Sequence, residues 1–183
     1  MSNAVEVERC AGEVVIRFTR PEIRNPLSVS VLNELHEILK EIAVDASVKK
    51  VVFTGSGNVF ASGADLREIA NVNAQDARQF AERGQRLMQR IADLPQTTVA
   101  AINGCCFGGA LDLALACNKR IATTDAKSAH PGAGLGIITG WGGTQRLPRL
   151  IGEANTLKLF FTAEPIDAKE ALRIGLIGEI TKK

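Results

Sequence analysis

The sequence predicts an α/β fold built around a buried, mostly parallel sheet. Short runs rich in β-branched residues recur in VEVERCAGEVVIRFTR, KKVVFTG, TTVAAING and NKRIATT, and glycine turns and helical patterns alternate with them. With 183 residues and 45 % hydrophobic content, the chain can bury a substantial core, and no linker or low-complexity stretch divides it. Residues 1–183 are therefore read as one domain.

The elements follow in order. VEVERC and EVVIRF flank Ala11-Gly12 and read as a hairpin. After the loop PEIRNPLS, Ser28 is an N-cap, and Val31, Leu35, Ile38, Leu39 and Ile42 fall on one face of a helix. KKVVFTG is a short buried strand, and SGNVFASGADLREIA turns from it through Gly55, Gly57 and Gly63 into a helix. A further helix spans Gln75 to Leu94 with Phe80, Leu87 and Ile91 inward. The unit then repeats, with TTVAAING as strand, CCFGG as glycine turn and ALDLALAC as helix. NKRIATT is the next strand. PIDAKEAL carries Asp167 as N-cap and Glu170 at the capping-box position, and IGLIGEI reads as a last strand.

Composition excludes several classes of function. A net charge of +2 with interspersed signs, few aromatics and no tyrosine give no footprint for nucleic acid. No apolar run approaches the roughly 20 residues that span a bilayer, and no signal-peptide pattern opens the chain, so a cytoplasmic protein without a membrane partner is expected. The four cysteines lack CxxC pairs and histidine clusters, so they read as small buried thiols, and no metal is expected.

The strand-turn-helix units suggest chemistry. At a helix start the first backbone N–H groups have no partner within the helix and point outward with the positive end of its dipole. The N–H groups of Ala64, after Gly63, and of Gly109 are thus candidate donors to one oxyanion, while tight turning is an equally good reason for the glycines. Asp112 lies on the same helical face as Gly108 and Gly109, either as an acid beside that hole or as a first-turn carboxylate favouring the dipole. The glycine-dense stretch SAHPGAGLGIITGWGGTQRL contains one histidine and no acid. No GxSxG, phosphate-loop or dinucleotide fingerprint is present.

These motifs resemble the crotonase superfamily, the enoyl-CoA hydratase/isomerase family. The resemblance rests on RPEIRNPLS, GSGNVFASGADLREI, AAINGCCFGGALDLALACNKRIAT, LGIITGWGGTQRLPRLIG and TAEPIDAKEALRIGLI, in family order over nearly the whole chain. It implies a spiral of ββα units, an acyl-CoA thioester as substrate with no separate cofactor, and an oxyanion hole at Ala64 and Gly109 beside Gly108. It also implies coenzyme A along Ala64, Asp65, Leu66 and Arg67, with Arg24 near the phosphates. Hydratases of this family use two glutamates. The first falls on Asp112 and the second on Gly132, which has no side chain, leaving His130 as a substitute and Trp141 as a pocket or core residue.

The resemblance further implies fatty-acid chemistry of the lyase or isomerase kind, with Asp112 as general acid/base. A degenerate acyl-CoA-binding or scaffold protein, or a decarboxylase or thioester hydrolase on the same fold, is the alternative. If the vacant position is what limits hydration, Gly132→Glu should raise hydration of a short enoyl-CoA. Family members continue into a C-terminal helical segment, most of which this sequence lacks, and they assemble as trimers or dimers of trimers.

Overall fold

The computed structural model describes residues 4–182. β1 (Val5–Cys10) and β2 (Glu13–Phe18) form the expected antiparallel hairpin, turning at Ala11 and Gly12 with φ of 43° and 83°. Such left-handed pairs match the twist of the flanking strands. After a short 3-10 turn and β3 (Pro26–Leu27), α1 (Val29–Val44) starts at Ser28, whose hydroxyl accepts from the Val31 N–H. Removing a cap of this kind typically costs about 1 kcal/mol. Its periodic face is buried at Val31, Leu35, Leu39 and Ile42, joined by Leu32.

The next segment is β4 (Lys50–Gly55), β5 (Val59–Ala61), β6 (Gly63–Ala64), α2 (Leu66–Ile69) and α3 (Ala77–Ala92). Then come β7 (Thr97–Ile102), β8 (Cys105–Phe107) and α4 (Gly109–Ala116). The chain continues with β9 (Lys119–Thr123), β10 (Lys127–Ala129), α5 (Gly143–Ile151) and α6 (Glu153–Thr162). It ends in β11 (Ile166–Asp167), α7 (Ala168–Arg173) and β12 (Glu179–Thr181).

One six-stranded sheet runs β1-β2-β4-β7-β9-β12, parallel beyond the hairpin, and a four-stranded sheet runs β11-β10-β8-β5. β4, β7 and β9 lie in the first sheet, and the strands that follow them, β5, β8 and β10, lie in the same order in the second. Each ββα repeat therefore adds one strand to each layer, which winds the chain into a spiral. α4 occupies its centre, with every residue from Ala110 to Ala116 buried. A helix surrounded on all sides shows no apolar stripe, whereas α1, packed on one face, does.

Several expectations are corrected. CCFGG is not a glycine turn, because Cys105–Phe107 pair with β5 and β10 before the chain turns at Gly108. The strand read over IGLIGEI is confined to Glu179–Thr181, since Leu176 and Ile177 are buried in the bend that precedes it. Asp167 caps α7 by accepting from the Glu170 N–H, but the Glu170 carboxylate turns outward to Arg173 instead of completing a capping box. Cys106 and Cys117 are buried, whereas Cys10 is exposed. Among the described residues no helix is long and apolar enough to cross a membrane.

Candidate active site

The site forms where the turn between β5 and α2 meets the start of α4. Gly63 has a φ of 90°, and a Cβ there would lie 2.6 Å from the Phe107 carbonyl oxygen and 2.8 Å from the Gly109 nitrogen. Both conformation and closeness require glycine. A Cβ on Gly109 would in turn lie 3.3 Å from the Ala64 nitrogen, so the two N–H-bearing segments run side by side. Gly109 is the first residue of α4, and its N–H has no partner within the helix. The Gly108 N–H instead donates to the Ala129 carbonyl at 2.9 Å, so Gly108 serves the turn, at a φ of 53°.

Ala64, Gly108 and Gly109 line a cavity of about 340 Å³ together with Asp112, His130, Gly132 and Trp141. Its mouth is apolar, edged by the exposed side chains of Leu66, Leu135 and Ile138. An adjoining open cleft of about 530 Å³ is lined by Asp65 and Arg67 and shares Val72 and Phe80 with the cavity. The Asp65 carboxylate caps α2 and holds the Arg67 guanidinium at 2.7 Å. Of the expected site residues, only Arg24 lines neither space: it is exposed on a left-handed turn, and its carbonyl accepts from the Ser62 N–H.

Asp112 is buried inside α4, with 1 % exposure. Thr139 Oγ1 donates to its Oδ2, while Oδ1 lacks a well-formed hydrogen bond and lies 3.6 Å from His130 Nε2. Burial raises the carboxyl to about 6; the Thr139 hydroxyl, the nearby Trp141 and Gly143 N–H groups and the charge of Arg146 oppose that rise. His130 follows β10 and precedes a 3-10 turn, so the regular strand that would have put it on one face with residue 132 is absent. It is buried against Phe160, with ring centroids 5.1 Å apart, and burial lowers its imidazole to about 4.

Gly132 lines the cavity, yet a Cβ there would meet the Ile137 carbonyl oxygen at 2.5 Å, because the loop folds back through an Ile137 N–H bond to the Gly132 carbonyl. A glutamate at 132 needs this backbone to open, so the simple gain in hydration expected from Gly132→Glu does not follow from this loop.

Trp141 is both pocket wall and core. Its indole fills a slot between α3 and α4, where a Cβ would come within 2.2 Å on Gly84 and 2.3 Å on Gly109. Alanine is ordinarily about 1 kcal/mol better than glycine inside a helix. Gly84→Ala is nevertheless expected to destabilise the fold by about 1–3 kcal/mol through overpacking, read as a lower urea midpoint at unchanged slope. A raised midpoint would mean the slot is loose.

Two residues escaped the sequence reading. Thr139 stands 27 positions from its partner Asp112, in a loop with no periodicity to signal the contact. Asn25 is buried at a φ of 49°, and its amide donates to the Val59 and Phe60 carbonyls, tying the loop before β3 to β5. That tie holds β3 where it pairs with β6. The unusual spelling RNP was its only signal.

The spiral of ββα units, with its site at the start of the central helix, is of the crotonase-like class. A sequence model of the enoyl-CoA hydratase/isomerase family matches residues 8–183, and the chain belongs to that family. It is 46 % identical over 155 residues to a probable enoyl-CoA hydratase of Bacillus subtilis, covering 84 % of this chain and 60 % of that one. With a crotonyl-CoA hydratase of Syntrophomonas wolfei the identity is 39 %, covering 92 % of this chain and 65 % of the relative. The crystal structure of an enoyl-CoA hydratase from Bacillus anthracis superposes with a TM-score of 0.94 at 38 % identity, over 98 % of this chain and 70 % of that one. The chain thus spans about two thirds or less of the length of these two curated relatives.

Proposed function

We propose that the protein is an acyl-CoA enzyme that forms a thioester enolate and moves a proton along the acyl chain. The Ala64 and Gly109 N–H groups receive the thioester oxygen, and Asp112 exchanges the proton. For a 3-enoyl thioester, the Asp112 carboxylate takes a proton from C2, and the C–H electron pair spreads into a dienolate whose oxygen lies between the two donors. The same proton then returns at C4, leaving the conjugated 2-enoyl thioester. Coenzyme A runs from Ala64 through Asp65, Leu66 and Arg67 along the open cleft.

One observation carries this reading: two adjacent N–H-bearing segments and a buried carboxyl poised near neutrality line the same cavity. Removing one donor from such a hole typically costs on the order of 100-fold or more in rate. A single acid/base is enough for a proton shift, and glycine at 132 offers no second carboxylate for activating water. Isomerisation is therefore the favoured reaction over hydration. The test offers 2-enoyl and 3-enoyl thioesters of short and medium chain, following the conjugated-thioester absorbance and the product mass. Interconversion at constant mass is expected. Gain of one water would make the protein a hydratase, and tight acyl-CoA binding without any conversion would make it a binding protein.

A further inference from the structure

Among the described residues, three buried side-chain polar atoms lack a well-formed hydrogen bond: Gln96 Oε1, Asp112 Oδ1, which has the Trp141 and Gly143 N–H groups nearby, and His130 Nε2. Two of the three face each other across 3.6 Å in the wall of one cavity. Buried polar atoms are rarely left unpaired, and here a movement of about half an ångström would join them. The contact needs one proton. With none, two lone pairs oppose each other; with two, neither atom can accept.

We propose that Asp112 and His130 form a single proton-holding dyad, in which the imidazole accepts from the protonated carboxyl and shares the proton that Asp112 takes. The inference rests on Asp112 being the group that exchanges a proton with the acyl chain. When Asp112 takes that proton, its Oδ1–H donates to Nε2 of the neutral imidazole. The O–H bond can then break as the N–H bond forms, giving carboxylate and imidazolium, and the reverse step returns the proton to Asp112. The dyad gains one proton when Asp112 takes it from the acyl chain and loses it when the proton returns, and no other reactant is consumed. His130 acts through Asp112 and is a positioning residue.

The surroundings of the two groups differ. Asp112 faces Thr139 and the charge of Arg146 on α5, with the Cys106 thiol on β8 nearby, itself held neutral by burial. His130 packs on the Phe160 ring. Burial pushes the two groups in opposite directions, the carboxyl up to about 6 and the imidazole down to about 4, so between those values the single proton rests on Asp112 and Nε2 is free to accept from it.

Nuclear magnetic resonance tests this without turnover, because the chain has only two histidines, His36 and His130, and His36→Gln assigns the spectrum. The Asp112 carboxyl carbon and the His130 ring nitrogens are expected to respond at the same first midpoint, and Asp112→Asn removes that step from His130. In activity, His130→Gln moves the acid limb of kcat/KM to lower pH, because its amide N–H stabilises the carboxylate. His130→Phe moves the limb to higher pH, each by about one unit or tenfold in rate at a fixed pH below the limb. Uniform loss with an unmoved limb and independent NMR midpoints would overturn the dyad while leaving Asp112 as acid/base. A shared midpoint in a protein that turns over no thioester would instead overturn the functional reading and leave the dyad standing.

Discussion

Asparagine in place of Asp112 is expected to lower turnover of enoyl-CoA thioesters by about 10²- to 10⁴-fold while leaving acyl-CoA binding within a few-fold. The substitution keeps the shape of the side chain and an oxygen to accept from Thr139, and it removes the only acid of α4. Asparagine also spares the fold an ionised group at 1 % exposure, so the variant should be at least as stable as the parent at neutral pH. A rate loss therefore cannot be ascribed to unfolding. Steady-state rates and calorimetric binding of a saturated acyl-CoA, measured together, decide it. Retained turnover would move the acid/base role to another residue.

The second large effect is on stability against acid. The Asp112 carboxyl is raised in the fold from 3.8 to about 6, so the penalty for burying its charge is full above pH 6 and relieved as pH falls towards 3.8. The His130 imidazole is lowered from 6.5 to about 4, so the unfolded chain takes up this proton first, and stability is lost as pH falls from 6.5 to 4. The two contributions have opposite signs over nearly the same window, each on the order of 3 kcal/mol, and they offset one another in the parent.

Breaking the pair should expose each half. Asp112→Asn should lose stability steeply between pH 7 and 4, and His130→Gln should lose far less or gain. Other carboxylates contribute equally to both variants and drop out of the difference. Urea unfolding at pH 7, 5.5 and 4 measures it. Parallel curves for the two variants would mean that the two groups do not titrate oppositely in the fold.

The sequence made some of this architecture legible and concealed the rest, for physical reasons. α1 has one buried face and a serine cap, so its periodicity and its start could both be read. α4 is buried all round and shows no stripe, and only its motif gave it away. α5 was not read at all. It begins on Gly142 and Gly143 without a side-chain cap and carries Pro148 in its interior, all of which spell an ending and not a helix. β3 and β6 have two residues each, too few for any alternation, yet their pairing carries Ala64 to its place beside α4.

In the site, the direction of the Gly109 N–H could be anticipated because a helix start dictates where its first N–H groups point, whereas Ala64 lies in β6 before the cap of α2, so that argument does not reach it. The approach of His130 to Asp112 could not, since it joins a position after β10 to one in α4 through the packing of three repeats. The crowding at Gly132 is local, from the backbone five residues on, but it arises in a loop without periodicity to signal it.

The slot occupied by Trp141 has an optical consequence. The chain has a single tryptophan and no tyrosine, so its near-ultraviolet emission arises from one indole. That indole touches Gly109 and forms part of the cavity wall. The protein thus carries an intrinsic fluorophore in the wall of that cavity, and its spectrum reports the polarity of that wall.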